Sequence, residues 1–193
     1  MDKITFSNYI DAGINRLDNR QLLIQSCLND PSLIKVLLTK MKQIDSEESN
    51  FASRILELTC KEDLKILAPY IDDFSSLLSL VKLDGVVRSC AKICELLCIQ
   101  YFLKKDSFFI KTLKEEHLEK MTEVGFNWMI TDQKIAVQAY TMQTLYLLGT
   151  KYNWIHEELA LNLENGIPTG STGYMNRARK VIKAIRTKTP LKL

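Results

Sequence analysis

Apolar residues recur along the chain at intervals of three and four, which is the spacing of one face of an α-helix. The segments with this spacing are residues 18–28, 30–44, 46–60, 61–81, 84–105, 113–130, 132–152, 153–167 and 171–187. No segment shows the sustained two-residue alternation that is typical of a half-buried strand. Because the connections are short, the pattern predicts an all-α fold in which successive helices are antiparallel neighbours.

Several helix boundaries carry their own signals. Asp30 and Pro31 form a cap-and-proline start, and Ser46 precedes two acidic residues that suit the first turn of a helix. Pro69 predicts a break or kink within residues 61–81, since proline lacks the backbone donor that a helix interior needs. Gly166 and Pro168 mark the end of the segment 153–167.

Composition narrows the class of protein. The 193 residues are 46% hydrophobic with seven Gly and four Pro, which favours one folded helical domain over residues 1–193. Within it we expect less regular helices at 1–45 and a basic capping helix at 171–187. We see no apolar run long enough for a membrane span and no secretory signal, and the odd number of cysteines favours the cytoplasm.

Three segments share a loose internal pattern. ASRILELTC (52–60), CAKICELLC (90–98) and AYTMQTLYL (139–147) align with apolar residues at equivalent positions. The offsets of 38 and 49 residues leave room for a second helix in each unit. This period predicts a solenoid of two-helix repeats.

Two of these regions resemble a known repeat family. Asp84-Gly-Val-Val-Arg88, followed by Ala91 and Leu96-Leu97, resembles the first helix of a HEAT repeat, and Asp132 with Ala136-Val137, Met142, Leu145 and Leu148 resembles another. The resemblance extends over roughly residues 46–185 and is to small bacterial HEAT-like proteins. It implies a right-handed α-α superhelix of antiparallel helix pairs, with a concave face that binds partners.

Cys90, Cys94 and Cys98 lie four residues apart and form a stripe on one helix face. Structural zinc sites use C-x-x-C pairs, iron–sulfur spacings differ, and a disulfide between positions i and i+4 of a helix has poor geometry. The repeat alignment places Ala52 and Ala139 at the position of Cys90. We therefore predict core packing, with reactive thiols and a metal site as alternatives.

Catalytic patterns are weak. His117 and His156 lie beside glutamates, and we predict solvated helix faces for both, with a general acid or base role as the alternative. His156-Glu157-Glu158 does not complete an H-E-x-x-H metal site, because Ala160 stands at the position of the second histidine. Gly170-Ser171-Thr172-Gly173 predicts a turn with a helix N-cap, and a phosphate site is the alternative. GSTGYMNRARK also resembles the mobile signature loop of the fumarase and adenylosuccinate lyase superfamily, although Asn176 replaces its proline. An enzymatic role is left open, with a lyase activity only weakly supported.

The chain ends in a basic segment. Residues after Glu164 include seven Lys and Arg and no acid, so the remainder carries −4, the difference between +3 and +7. Arg179, Lys183 and Arg186 share a helix face. The candidate binding residues are the aromatics Trp128, Trp154 and Tyr140 and the cations Arg177, Arg179, Lys183 and Arg186.

Two functions follow from these features. The first is a non-enzymatic scaffold that binds a protein partner on the concave face, with no cofactor and no metal. The alternative is a nucleic-acid or other polyanion binder that uses the basic C-terminal helix. ITDQKIAVQAYTMQTLY resembles one repeat of the HEAT-like alkylpurine DNA glycosylases, but Ile135 or Ala136 and Gln138 stand where those proteins often carry Trp and Arg.

Overall fold

The computed structural model describes residues 1–13, 17–43 and 46–191, and Ile44 and Lys192 lie outside these ranges. Every regular element within them is a helix, which confirms the all-α class. The chain divides into two compact units, Met1–Ile93 and Cys94–Leu193, and the boundary falls inside one helix. None of the helices in the described ranges combines the length and apolar character that crossing a membrane requires.

The first unit is built around the contact between two amphipathic helices. Its elements are α1 (Lys3–Asp11), α2 (Leu17–Asn29), α3 (Leu33–Met41), α4 (Glu47–Glu62), a 3₁₀ segment (Leu64–Tyr70), α5 (Ile71–Leu77) and the start of α6 (Asp84–Cys98). α3 packs against α4, and α1 and α2 contact both of them. The apolar stripe of α3, which includes Ile34, Leu37 and Met41, is fully buried in this contact.

Local chemistry explains where these helices begin and end. The Asp2 carboxylate caps α1 by accepting from the backbone N–H of Ile4 and of Thr5 at 3.0 Å. The Ser46 hydroxyl accepts from the Ser49 N–H at 3.3 Å at the start of α4, as its sequence predicts. Pro69 lies in the 3₁₀ segment just before α5, which confirms the predicted break.

The second unit is built around one central helix, which is the ninth α-helix of the described ranges in chain order. It contains the end of α6, a π-helical turn (Ile99–Leu103), α7 (Ser107–Thr112), α8 (Glu115–Ile130), α9 (Ile135–Gly149), α10 (Asn153–Gly166) and α11 (Thr172–Thr187). α9 packs against α8, α10 and α11, and every residue from 141 to 149 is buried. The predicted helix 84–105 is helical to Leu103, but its last turn, Ile99–Leu103, has π instead of α geometry. The sequence pattern missed α7.

A buried carboxylate organises the polar interior of the first unit. Glu57 on α4 has no exposed surface and accepts from Lys61 Nζ at 2.5 Å, Arg54 Nη1 at 2.8 Å and Arg88 Nη1 at 3.2 Å. The Ser89 hydroxyl donates at 3.1 Å and connects α4 to α6. Burial opposes ionisation of Glu57, but the hydrogen bonds from Lys61 and Arg54 outweigh it and hold its pKa below the ordinary value.

We expect Glu57→Gln to lower the free energy of unfolding by about 3 kcal/mol, the lower end of the range for breaking a buried ion pair. The three cations are each about one-third exposed, so water compensates part of the loss. Because folding depresses the pKa of Glu57, its stabilisation is complete above pH 4.5 and is lost as the pH falls through the folded-state pKa.

Urea unfolding of wild type and variant across acidic to neutral pH measures this difference. The exposed Glu62→Gln on the same helix is the matched control and should change stability little. A gap between Glu57→Gln and wild type that stays constant into strong acid would contradict the assignment.

Candidate binding surface of the second unit

The three predicted aromatic residues occupy different environments. Trp128, on α8, is only 4% exposed and packs in the core, so its ring is not available on the surface. Tyr140, on α9, is half-buried. Trp154, in the first turn of α10, is 57% exposed, an unusual state for so large an apolar side chain. Of the three predicted aromatics, Trp154 is therefore the one whose side chain is largely exposed.

Trp154 forms one wall of a groove between α8 and the start of α10. Its indole stacks on the Phe126 ring with centroids 5.9 Å apart and planes inclined by 24°. The groove has a volume of about 280 Å³. Its lining is Glu119, Thr122, Glu123, Phe126, Tyr152, Trp154 and Ile155. Two stacked aromatic rings and two carboxylates thus line the same groove, which we call the Trp154 groove.

Hydrogen bonds fix the end of the groove that lies beside Tyr152. The Tyr152 hydroxyl donates to Glu115, and Lys151 Nζ lies 2.5 Å from the same carboxylate. The hydrogen bond from Lys151 contributes most, and the one from Tyr152 less, to holding the pKa of Glu115 below its ordinary value. They join the α9–α10 connection to the first turn of α8, so the wall of the groove is held in place.

The sequence of α8 contains a signal for this site that the helical spacing of apolar residues does not reveal. Glu119, Glu123 and Phe126 stand at positions i, i+4 and i+7 and therefore share one helix face. A phenylalanine in line with two acids on an otherwise polar face departs from ordinary amphipathic patterning. This pattern identifies the side of the groove that α8 provides. The side that α10 provides is recognised only from the tertiary structure.

The basic helix α11 turns most of its predicted cations outward. Tyr174, Ala178 and Val181 are buried on its inner face, whereas Arg179, Lys183 and Arg186 are exposed. The three cations border a groove of about 400 Å³ with Ile167 and Ile182 among its lining residues. Arg186 pairs with Glu164, but Arg179 and Lys183 make no ion pair within the described residues.

Arg177 does not belong to this exposed row. Its Nη2 donates to the Oε1 atom of Gln143 at 2.6 Å, and Gln143 is completely buried in α9. The guanidinium is therefore directed into the unit, about half a helical turn away from Arg179. This position separates Arg177 from the other predicted cations.

The Gly170–Gly173 stretch forms the predicted turn and cap. The Ser171 hydroxyl accepts from the Tyr174 N–H at 3.2 Å and caps α11. A Cβ atom at Gly170 would lie 2.5 Å from Cδ1 of Tyr174, so glycine allows this ring to fold over the turn. The resemblance to a lyase loop thus falls on a helix-capping turn.

The prediction of solvated faces for the histidines is wrong for His117, which is 2% exposed. Its Nδ1 accepts from the Lys114 N–H at 3.1 Å, so the ring caps the start of α8. His156 is half-buried, stacks on Tyr146 with centroids 5.2 Å apart, and has Nε2 2.8 Å from the Tyr146 carbonyl oxygen. Glycine at position 149 leaves room for this ring.

All five cysteines are buried, which confirms the core-packing prediction for Cys90, Cys94 and Cys98. Burial raises the pKa of Cys27 and of Cys90 to about 12, and it raises the pKa of Cys60 and Cys98 as well. These thiols are protonated at neutral pH and are poor nucleophiles.

Comparison of the chain with known protein families, with curated proteins and with solved structures finds no match. We therefore infer the function from the chemistry of the two exposed surfaces of the second unit.

We expect the native protein to react with a thiol reagent such as dithionitrobenzoate at least about 100-fold more slowly than the unfolded chain, because the cysteines are buried and protonated. Release of thionitrobenzoate in buffer and in guanidinium measures both rates. Rapid labelling of even one cysteine in the native protein would contradict the packing assignment.

Proposed function

We propose that this protein is a non-enzymatic interaction module that binds a protein partner through the Trp154 groove. The observation that carries the proposal is the exposed Trp154 ring stacked on Phe126. Tryptophan, like tyrosine and arginine, is enriched among binding hot spots, and its large ring supplies much of the contact area. The buried, protonated cysteines are consistent with a cytoplasmic setting.

We also propose that the repeat architecture is HEAT-like. Two consecutive helix pairs, α8 with α9 and α10 with α11, support this proposal. α9 also contacts α11, and α8 contacts α10, so equivalent helices of the two pairs lie against each other. Such pairing is typical of stacked two-helix repeats. The right-handed superhelix and its concave face are part of this proposal.

A polyanion is the second candidate ligand. Arg179 and Lys183 are exposed one turn apart on α11 and make no ion pair within the described part of the chain. Adjacent unpaired cations attract phosphates, and binding of this kind weakens as salt rises. The Trp154 groove carries carboxylates, which repel phosphates, so a nucleic acid would bind at α11 alone.

Trp154→Ala should weaken partner binding at least about tenfold, because hot-spot tryptophans contribute about 2 kcal/mol or more. The tagged protein first captures partners from the source cells, and the dissociation constant is then measured with the purified partner. Leu161→Ala is the matched control, since Leu161 is 53% exposed on the same helix but does not line the groove. Equal affinity of Trp154→Ala and wild type would refute the docking site.

The charge reversal Arg179→Glu/Lys183→Glu separates the two candidates. If α11 binds a polyanion, wild type should bind fluorescent single- or double-stranded DNA or RNA at low salt, and the variant should lose this binding. Lys65→Glu/Lys111→Glu, a pair of exposed lysines elsewhere in the chain, controls for net charge. We expect that wild type does not bind these nucleic acids at physiological salt. Tight, salt-sensitive binding that Arg179→Glu/Lys183→Glu abolishes would instead favour the polyanion function.

A further inference from the structure

We propose that the Trp154 groove recognises a lysine or arginine side chain on an exposed segment of the protein partner. This inference rests on the proposed function and names the chemistry of the partner. It follows from the combination of an exposed indole ring with carboxylates in one groove. The ring and the carboxylates each restrict the chemistry of the ligand in a different way.

The charge of the groove selects a cation. Glu119 and Glu123 lie one helical turn apart on α8, and the lining contains no lysine or arginine. Glu119 makes no ion pair within the described residues. Glu123 lies 2.7 Å from Lys120 Nζ, so one lysine outside the lining balances part of its charge, while the Glu123 side chain stays 65% exposed. An approaching cation therefore meets the carboxylate of Glu119, which has no ion pair within the described residues, and the exposed carboxylate of Glu123.

The aromatic wall adds selectivity for the same kind of ligand. The face of an indole is the strongest neutral attractor of ammonium and guanidinium groups in proteins, and a guanidinium also stacks flat on the ring. Phe126 covers part of Trp154, while 57% of the residue stays accessible. A cationic side chain can place its alkyl stem along the rings and its charged end beside the carboxylates.

The size of the groove favours a side chain over a larger ligand. Its volume of about 280 Å³ is at the lower limit of the pockets that hold small organic molecules, about 300–1,000 Å³. One or two side chains of a partner fill such a space. A purely apolar segment would remove water from Glu119 and Glu123 without replacing their hydrogen bonds, and an acidic segment would be repelled.

The experiment follows the emission of Trp154 in the Trp128→Phe variant, in which it is the remaining tryptophan. The probe is a short peptide of alternating arginine and glycine. The matched peptide carries citrulline, which has nearly the shape of arginine but no charge. We expect a saturable change with the arginine peptide that weakens as salt rises, and binding at least about tenfold weaker for the citrulline peptide.

Two charge variants locate the interaction. Glu119→Gln/Glu123→Gln should weaken binding of the arginine peptide at least about tenfold. Glu157→Gln/Glu158→Gln changes two exposed acids of α10 that do not line the groove and should leave the affinity unchanged. Circular dichroism establishes that each variant keeps the helical fold. Equal affinity for both peptides, unchanged affinity in the groove variant, or no binding of the arginine peptide would overturn the inference.

The result also separates this inference from the proposed function. If Trp154→Ala loses partner capture but the protein with an intact groove does not respond to arginine peptides, the groove is a docking site without cation selectivity. That result overturns only the inference. A dimer seen by sedimentation that Trp154→Ala dissociates would assign the groove to a second copy of the chain and would overturn it too. Arginine-selective binding together with unimpaired capture by Trp154→Ala would instead refute the proposed partner site.

Discussion

The burial of α9 is the constraint on which the second unit depends. α8, α10 and α11 all lie against this helix, and none of the residues in its last three turns is exposed. Each surrounding helix must therefore direct its apolar face toward α9 and its polar face away from it. The close approach uses small residues: a Cβ atom at Gly125 would lie 3.0 Å from Leu145, and one at Gly149 only 2.0 Å from the His156 ring.

This arrangement gives one unit two exposed surfaces of opposite chemistry. Between α8 and α10 lies the aromatic and acidic Trp154 groove, and α11 carries the exposed Arg179 and Lys183. Both surfaces are presented by helices that pack on the same buried core. A groove held in this way loses little conformational freedom when it binds a ligand, which favours affinity. The Glu115 hydrogen bonds to Tyr152 and Lys151 add to this preorganisation.

The helices could be predicted because the apolar spacing is directly visible in the sequence, as in α4 and α11. The π-helical turn at Ile99–Leu103 and the short α7 could not, because neither changes the local pattern of apolar residues enough. Trp128 and Trp154 both follow asparagine near a predicted boundary, so their sequence contexts are nearly the same. Tertiary packing buries the first, which is 4% exposed, and leaves the second 57% exposed.

The Trp154 side chain is exposed on a packed helical core, and acrylamide quenching of the single-tryptophan variants Trp128→Phe and Trp154→Phe measures this exposure in solution. We expect red-shifted emission and several-fold stronger quenching for Trp154, and blue-shifted, protected emission for Trp128. If Trp154 were as protected as Trp128, the groove would be closed in solution, and the account of a binding surface would be contradicted.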